Sequence, residues 1–541
     1  MKRVPAPAIA AMAACLAAPA WAVDLSLLHT WDGPTANGQF SIACVVVGDM
    51  DGDGFAEYAI GASADPTAGD GAGRVFIYRG GPQNLGQGPA WVIDGQPGDL
   101  LGSALAAAGD VDGDGLADLL IGAPGSLGVN PSATGRVLLV YGSRPLGQRA
   151  PVVIAGPVAR GHFGAALAGL GAFNGDALSD FAIGAPDANA GAGLVEVFFG
   201  GRAPPAAPAL TLHGRASGDA FGSAVAGAGR FQGGAYTALA VGAPFRSVLH
   251  VWAGEVSLFR GGAPPDTTPM RTWEGSAAGD FFGTSIAGAG DVNGDGFDDV
   301  VAGAPGANDG ALIDAGRAYV FLGASTPPAA AASSYAGRKA SDQLGQSVAG
   351  IGDVDADGFA DFAFGGPGNA DSTAVGEIHV VLGRASLPAA PDTVLVGETA
   401  GDMFGRSLSN GGLIDAGQHA LFLAGSDLHG AGGRAYLYGS SSATLAVGPA
   451  ITGGGVRLAR AWPNPAWEDV SIVLDSGTDA SVSLDVLDVD GRAIAHLFDG
   501  PIGAGSHAFR WDARRTRPGL YWISLSSGGS RRSRPVVIRG R

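Results

Sequence analysis

The stretch FFGTSIAGAGDVNGDGFDDVVAGAP (residues 281–305) contains every element of a pattern that recurs along this chain. It holds an FG pair, a GD step, an acidic glycine-rich loop and an apolar run that ends in GAP. Copies of the pattern follow one another at intervals of 58 to 62 residues, and a fixed period of this length is typical of propellers and solenoids. The seven FG-like pairs begin at Phe40, Leu101, Phe163, Phe221, Phe282, Leu344 and Phe404.

Each repeat has the composition of a four-stranded β-sheet. The fifth repeat contains RTWEG (271–275), the run 281–291, DVVAGAP (299–305) and RAYVFLG (317–323), all short and largely apolar. Glycine makes up 93 of 541 residues, and no long stripe of helical period is present, which disfavours helix. A lone sheet of about 60 residues cannot bury both faces, whereas seven arranged radially can. The sequence therefore predicts an all-β protein with a seven-bladed β-propeller over residues 23–448.

The ends of the repeat region suggest how the ring closes. The last repeat supplies three strands up to Tyr438, so its outer strand must come from elsewhere. Both LLHTWDG (27–33) and TLAVG (444–448) have the composition of the missing strand. We expect the N-terminal segment to fill this position, because a ring clasped by both ends of the chain resists opening.

Four of the repeats carry an acidic loop with oxygen-bearing side chains at loop positions 1, 3, 5 and 9. Glycine at position 6 permits a sharp turn, and position 7 can offer its backbone carbonyl. A set made only of oxygen ligands suits calcium better than zinc or magnesium. The predicted ligands are Asp49, Asp51, Asp53, Phe55 and Glu57; Asp110, Asp112, Asp114, Leu116 and Asp118; Asp291, Asn293, Asp295, Phe297 and Asp299; and Asp353, Asp355, Asp357, Phe359 and Asp361.

These loops differ from an EF-hand, which needs a glutamate at position 12. Position 12 is instead apolar and falls inside the next strand, at Ile60, Ile121, Ala302 and Phe364. The alternative to calcium is an ordinary Asp-Gly hairpin without metal, but four such loops in register favour about four structural calcium ions.

The other three loops have lost part or all of the pattern. The third loop, 171–181, keeps Asn174, Asp176 and Asp180 but has Ala172 at position 1, so its metal binding stays open. The loops at 229–239 and 412–422 lack the ligand set, and we expect both to be free of metal.

The FG pair, the DxDGDGxxD loop and the GAP ending resemble FG-GAP repeats, as in the N-terminal seven-bladed propeller of integrin α subunits. The resemblance covers roughly residues 25–448. It implies that the calcium loops join the first and second strands of each blade, lie opposite the ligand-binding face and are structural. The opposite face would then carry connections such as 63–73, 124–135 and 305–316, which vary in length and sequence.

The period disappears after a linker at residues 449–459. Residues 460–541 contain alternating strands with glycine-rich turns, which predicts a small Ig-like β-sandwich. The PNP opening (463–465), the DVDGR strand end (488–492), FRWD (509–512) and PGLYW (518–522) resemble bacterial C-terminal modules of the flagellar hook-capping and type IX secretion sorting kinds. The resemblance implies docking on a surface or on secretion machinery; the alternative is a solvated tail.

The N-terminal residues 1–22 have the features of a secretory signal peptide, with Ala20-Trp21-Ala22 as the cleavage site. Cys15 lies in a weak lipobox, which leaves lipidation as an alternative. The mature chain has no stretch long and apolar enough to predict a transmembrane segment. We therefore expect an extracellular or cell-surface protein, with the periplasm as the alternative. The remaining cysteine, Cys44, occupies an apolar position of the repeat and is expected to be buried.

The net charge of −18 comes largely from the acidic loops, whose predicted ligands include fifteen of the fifty acidic residues. This acidity disfavours nucleic acid as a partner. The nine histidines are scattered, and no HExxH, GxSxG or P-loop motif is present. The sequence favours a non-catalytic adhesion or surface-recognition module that binds a protein or glycan. The alternatives are a secreted hydrolase or lyase with its site in the central depression of the propeller, and a purely structural surface-layer role.

Overall fold

The computed structural model describes residues 25–81, 84–125, 134–368, 374–412 and 420–440 of the repeat region. In the C-terminal region it describes 456–462, 469–476, 479–488, 492–503, 505–514, 516–517, 519–527 and 530–538. The predicted signal peptide, the alternative closing strand 444–448 and most of the predicted linker lie outside the described residues.

Seven four-stranded antiparallel sheets make up the repeat region, and each sheet is one blade. The N-terminal strand is β1 (Leu25–Asp32). Blade 1 contains β2 (Phe40–Gly48), β3 (Glu57–Ala62), β4 (Arg74–Tyr78) and β5 (Trp91–Asp94), and blade 2 contains β6 (Ala104–Gly109), β7 (Asp118–Ala123), β8 (Arg136–Val140) and β9 (Val152–Ala155). Blade 3 contains β10 (Ala166–Gly171), β11 (Asp180–Ala185), β12 (Leu194–Phe198) and β13 (Leu210–His213), and blade 4 contains β14 (Ala224–Gly227), β15 (Ala238–Ala243), β16 (Glu255–Arg260) and β17 (Arg271–Glu274). Blade 5 contains β18 (Ser285–Gly290), β19 (Asp299–Ala304), β20 (Arg317–Phe321) and β21 (Ser333–Ala336), and blade 6 contains β22 (Ser347–Gly352), β23 (Asp361–Gly366), β24 (Glu377–Val381) and β25 (Thr393–Val396). Blade 7 adds β26 (Ser407–Leu408), β27 (Phe422–Ser426) and β28 (Arg434–Ser440).

The first strands of the blades form a closed ring. Each contacts the first strand of the next blade, in the order β2, β6, β10, β14, β18, β22 and β26, and β26 returns to β2. The second strand of every blade is completely buried, because blades pack against it on both sides. This burial explains the continuous apolar runs, and the predicted β-propeller architecture is confirmed.

The N-terminal strand completes blade 7. β1 pairs antiparallel with β28, so the strand order is β1-β28-β27-β26. Arg434 Nε lies 2.6 Å from Asp32 Oδ1 across this pair, and Trp31 is buried in the core between blades 7 and 1. The prediction that the N-terminal segment closes the ring is therefore confirmed.

Glycine is required where neighbouring blades meet. A Cβ atom added to Gly122, in the GAP segment of blade 2, would lie 2.1 Å from the carbonyl oxygen of Gly164, the FG glycine of blade 3. The same contact recurs at Gly303, where a Cβ would lie 1.9 Å from Gly345 O. Each FG glycine also donates its N–H to the GAP glycine of its own blade, as in Gly164 N to Gly184 O at 3.0 Å. The two glycine-containing motifs therefore form one contact between blades.

The residue before each FG-like pair adopts a left-handed backbone conformation although it is not glycine. Its φ lies between 51° and 58° in all seven repeats, a region that costs side-chain-bearing residues energy. The seven positions are Gln39, Leu100, His162, Ala220, Phe281, Gln343 and Met403.

The C-terminal module consists of two antiparallel sheets. Its strands are β29 (Val456–Trp462), β30 (Asp469–Ser476), β31 (Ala480–Leu487), β32 (Ala493–Ile502), β33 (Gly505–Asp512), β34 (Gly519–Ser527) and β35 (Ser530–Ile538). One sheet has the order β29-β30-β33 and the other β32-β31-β34-β35. Trp511 and Tyr521 from the two sheets make an edge-to-face contact inside one shared core, as in a β-sandwich.

Helix is almost absent from the described residues. It is limited there to one short turn, Ala188–Gly191. No helix in the described part of the chain has the length and apolar character to cross a membrane.

The contact between blades predicts the effect of adding one methyl group. Gly122→Ala places a Cβ against the Gly164 carbonyl and should lower the free energy of unfolding by about 1–3 kcal/mol. Gly88→Ala is the matched control, because an added Cβ there has open space around it. Chemical denaturation of both variants checks this prediction, and equal stabilities would contradict it.

Candidate metal loops and the opposite face

The four predicted metal loops all connect the first strand of a blade to the second. They follow β2, β6, β18 and β22, and therefore lie on one face of the ring, called here the acidic-loop face. Ligand oxygens come within 4.8 Å of one another in three groups of acids. These groups are Asp49, Asp51 and Asp53; Asp110, Asp112 and Asp118; and Asp353, Asp355 and Asp357.

The carboxylate at position 1 organises each loop through backbone hydrogen bonds. Asp110 accepts the N–H groups of Gly113 at 2.7 Å, Asp114 at 3.1 Å and Gly115 at 2.9 Å. Asp114 in turn accepts the N–H of Leu116 at 2.9 Å. These bonds bend the loop around its own carboxylates, so the oxygen atoms converge without help from another element.

The sixth-repeat loop makes the same turn with a non-glycine residue. Ala356 takes loop position 4 with a φ of 58°, where the other three loops have glycine. Asp353 still accepts the N–H of Asp357 at 3.1 Å and of Gly358 at 3.0 Å. The loop geometry therefore persists despite the strain at Ala356.

The fifth-repeat loop differs by having an amide at position 3. Asn293 Nδ2 donates to Asp295 Oδ2 at 3.0 Å, and Asn293 Oδ1 accepts the Asp295 N–H at 3.0 Å. Asp291 accepts the N–H of Gly294 and of Gly296, as the position-1 carboxylates of the other loops do. The fold of this loop therefore matches the others with one carboxylate fewer.

The position-9 carboxylate is buried and holds the loop to the third strand of its blade. Asp118 accepts the N–H of Val111 at 2.8 Å and of Gly142 at 2.9 Å. Burial is the main cause that raises the pKa of this group in every loop. The pKa values rise to about 8 for Glu57, about 7 for Asp118, about 7 for Asp299 and about 8 for Asp361.

The third loop keeps this buried carboxylate but lacks the position-1 ligand. Asp180 accepts the N–H of Asn174 and of Gly200, both at 2.9 Å. Asn174 and Asp176 hydrogen-bond to each other, and Ala172 supplies no oxygen side chain. Position 9 therefore has a structural role that does not depend on a complete ligand set.

Arginine side chains neutralise part of the charge in the first two loops. Arg79 Nε lies 2.9 Å from Asp51, and Arg149 lies 2.7 Å from Asp112 and 3.3 Å from Asp114. The other oxygen of Asp51, Oδ1, is buried without a hydrogen-bond partner. A buried carboxylate oxygen without a partner, inside a cluster of three carboxylates, fits a hard cation.

Two loops were expected to be free of metal. The structure describes the fourth loop throughout and the seventh only in part. In the fourth loop Arg230 takes position 1, and its N–H donates to Asp298 of the next blade at 2.6 Å. Most of the seventh loop, residues 413–419, lies outside the described residues.

The central depression opens on the face opposite the acidic loops. Its cavity of about 240 Å³ is lined by the starts of the first strands, with apolar residues such as Leu105, Val225 and Ile286. Its serines bond to backbone of the next blade: Ser285 Oγ donates to Gly345 O and Ser347 Oγ to Gly405 O, both at 2.7 Å. The described residues lining the depression include no carboxylate and no histidine.

Cys44 also lines this depression. It is a free, buried cysteine, and burial raises the pKa of its thiol to about 12. The thiol is therefore protonated and unreactive at neutral pH, as expected for an apolar position of the repeat.

The buried carboxylate predicts a stability effect that does not need metal. Asp118→Ala leaves two buried N–H groups without an acceptor and should lower the free energy of unfolding by about 1–3 kcal/mol even in EDTA. Asp114→Ala removes an exposed acid and should change it by less than about 0.5 kcal/mol in EDTA. Denaturation of both variants in EDTA checks this; a larger loss for Asp114→Ala would contradict it.

Parts of this sequence match known protein families. The sequence matches the FG-GAP repeat family at residues 101–140 and 282–321, and the secretion system C-terminal sorting domain at residues 460–539. Integrin alpha-PS2 of Drosophila melanogaster is 36% identical over 216 residues, which cover 37% of this chain and 15% of that protein. Integrin alpha-5 of Xenopus laevis is 28% identical over 214 residues, which cover 38% of this chain and 20% of that protein.

A solved structure of PorZ, an essential bacterial surface component of the type-IX secretion system of Porphyromonas gingivalis, is also similar. The TM-score is 0.36 at 14% identity, with 90% of this chain and 58% of that chain covered. The chain spans only 15% to 20% of the length of the two integrins. This chain carries FG-GAP repeats homologous to those of integrin α subunits, together with a secretion-system C-terminal sorting domain.

Proposed function

We propose that this protein is an exported, calcium-stabilised propeller that recognises a protein or glycan ligand through the face opposite its acidic loops, without catalysis. The observation that carries the proposal is that the two faces of the propeller present different kinds of side chain. Convergent carboxylates lie on the acidic-loop face, whereas the depression on the other face is lined mainly by apolar residues, with three serines and Gln346. Variable connections on a rigid scaffold are the usual place for binding residues.

Calcium is the cation that best suits the acidic loops. The residues that would hold it are the oxygen side chains at positions 1, 3 and 5, with the backbone carbonyl of position 7 and the position-9 carboxylate completing the set in the four intact loops. Bound calcium would supply positive charge that offsets the repulsion among these carboxylates. This role is structural, because the loops lie away from the variable connections.

The sorting domain supports export of the chain. We propose the division made from the sequence: a signal peptide at 1–22, the propeller at 23–448, a linker at 449–459 and the sorting module at 460–541. The module would bring the propeller to the cell surface, where an adhesion or recognition role is useful.

The alternative, a hydrolase or lyase, is disfavoured by the lining of the central depression. Two of its polar side chains, Ser285 and Ser347, are engaged with backbone carbonyls of neighbouring blades. General acid–base catalysis needs a titratable group placed at the reacting atoms.

The effect of calcium on stability should increase with pH. Without metal, the buried position-9 acids have pKa values raised to about 7–8, so they stabilise the fold when protonated, and this stability is lost as pH rises from about 4 to about 8. Calcium binds the deprotonated carboxylates, so its contribution grows over the same range. Four sites at millimolar calcium should contribute roughly 2–6 kcal/mol near neutral pH.

Thermal melts with calcium or EDTA check this prediction. The difference in Tm should be larger at about pH 8.5 than at about pH 5.5, and magnesium should restore it poorly. A Tm unaffected by EDTA at either pH would contradict the structural role of calcium.

The proposed ligand-binding face is tested with an array of glycans and surface proteins, with and without calcium. Asp70 is exposed in the connection between β3 and β4, opposite the acidic loops, and Asp266 is exposed between β16 and β17, on the acidic-loop face. Asp70→Lys should weaken binding of an array ligand several-fold, and Asp266→Lys should leave it unchanged. The reverse order would contradict the assignment of faces, and turnover of an array glycan would favour the enzyme instead.

A further inference from the structure

Arg149 forms ion pairs with two predicted calcium ligands of the second-repeat loop at once. It lies in the connection between β8 and β9, on the acidic-loop face and in the same blade as this loop. Its Nη1 atom lies 2.7 Å from Asp112 Oδ2 and 3.3 Å from Asp114 Oδ2. A single cationic group therefore bridges the carboxylates of loop positions 3 and 5.

The oxygen atoms that Arg149 contacts are the ones that the loop backbone leaves available. Asp112 Oδ1 accepts the N–H of Asp114 at 3.3 Å, and Asp114 Oδ1 accepts the N–H of Leu116 at 2.9 Å. Among the described residues, the Oδ2 atoms of both carboxylates accept from Arg149 and from no backbone N–H. A metal ion that uses these two Oδ2 atoms therefore meets a positive charge that already holds them.

The sixth-repeat loop has the same backbone bonds without such a counter-ion. Asp355 Oδ1 accepts the N–H of Asp357 at 3.2 Å, and Asp357 Oδ1 accepts that of Phe359 at 2.9 Å. In the described part of the chain, no arginine or lysine forms an ion pair with either carboxylate. The arginine in the corresponding connection of blade 6, Arg384, lies 2.5 Å from Asp392 instead. The two loops therefore differ in their counter-ion and not in their turn.

The acids that converge also differ between these two loops. In the sixth-repeat loop, oxygen atoms of positions 1, 3 and 5 lie within 4.8 Å of one another. In the second-repeat loop the convergent group is positions 1, 3 and 9, and Asp114 at position 5 does not belong to it. The position-5 carboxylate that contacts Arg149 is thus the one that is absent from the group.

Arg79 in blade 1 contacts its loop in a different way. Its Nε lies 2.9 Å from Asp51 Oδ2, and among the described residues it forms an ion pair with no other acid. Asp51 Oδ1 is buried without a hydrogen-bond partner, and positions 1, 3 and 5 of this loop converge. Arg79 therefore leaves both a ligand oxygen and the convergent group available to a cation.

Arg149 is held beside the loop by an aromatic ring and has access to water. Its Cζ lies 4.1 Å from the centre of the Tyr141 ring, which is a cation–π contact. Tyr141 is buried, so its ring is fixed in the blade. The Arg149 side chain is 40% exposed, so its guanidinium can move into solvent without crossing the core.

We propose that Arg149 is an internal counter-ion that competes with calcium for the second-repeat loop. When calcium is absent, Arg149 offsets the repulsion between the carboxylates of positions 3 and 5. When calcium is present, Arg149 gives up these oxygen atoms and moves into solvent. The second-repeat loop should therefore need more calcium than the sixth-repeat loop and should stay better ordered without it. This inference rests on the proposed role of calcium and adds an order in which the loops bind it.

Hydrogen–deuterium exchange at a series of calcium concentrations tests the proposal, because peptides from 109–119 and 352–362 report the two loops separately. Arg149→Ala should lower the calcium midpoint of the second-repeat loop at least about threefold. The midpoint of the sixth-repeat loop should not change. In EDTA, Arg149→Ala should speed exchange in 109–119, because the carboxylates then repel each other without a counter-ion.

Three further variants separate competition from other effects of the substitution. Arg149→Gln removes the charge but keeps a side chain over Tyr141, and it should lower the midpoint as well. Arg260→Ala is the matched control, because Arg260 is exposed at the end of β16, two blades away, and it should leave the second-repeat loop unchanged. Arg79→Ala should shift the midpoint of the first-repeat loop by less than about twofold. Thermal melts in calcium check that each variant folds.

The sign of the shift decides between two roles of Arg149. A midpoint that is unchanged or raised in both Arg149 variants would overturn the proposal, because the arginine would then not oppose calcium. Equal shifts from Arg260→Ala or Arg79→Ala would show a general effect of charge and would overturn it too. If calcium protects the wild-type loops but the Arg149 variants behave like the wild type, only this inference fails. If calcium protects none of the loops, the proposed role of calcium fails with it.

Discussion

The structure depends on one close contact, between the GAP glycine of a blade and the FG carbonyl of the next. The distance from a hypothetical Cβ at Gly303 to Gly345 O is 1.9 Å, so no side chain fits between the blades at this level. The FG glycine also donates its N–H within its own blade, which fixes its orientation. Repeated around the ring, the contact sets the spacing of the inner strands. It also buries the second strand of each blade on both faces.

The acidic loops are attached to this ring of blades and do not hold it together. The buried carboxylate at position 9 ties each loop to the third strand, and Asp180 does so in a loop that lacks the position-1 ligand. A cation would stabilise the convergent carboxylates, which are positions 1, 3 and 5 in the first and sixth repeats and positions 1, 3 and 9 in the second. Loss of the ligand set in some repeats is compatible with an intact ring for this reason.

The periodic features of the fold could be predicted from the sequence. The repeat spacing predicted seven blades, and three of the four predicted loops contain three acids whose oxygen atoms converge. Backbone strain at non-glycine residues could not be predicted, because nothing in the sequence marks a positive φ at Phe281. Ser41 stands where other repeats have the FG glycine and takes a φ of 72°, with its hydroxyl donating to Arg434 O.

The sequence also did not predict features that depend on contacts between residues far apart in the chain. The position-9 acids were expected to act as metal ligands. Their second role, as acceptors of hydrogen bonds from backbone N–H groups, could be identified only from the structure. The bond from Arg230 N to Asp298 joins residues of two neighbouring blades.

Hydrogen–deuterium exchange with calcium and with EDTA tests most directly whether glycine contacts, and not metal, hold the blades together. The account predicts that the N–H groups of the FG glycines, which bond to the GAP carbonyls, exchange slowly in both conditions. The N–H groups of Gly113 and Gly115, which bond to Asp110, should be protected in calcium and exchange faster in EDTA. Loss of protection at the FG glycines on removing calcium, to the same extent as in the loops, would contradict the account.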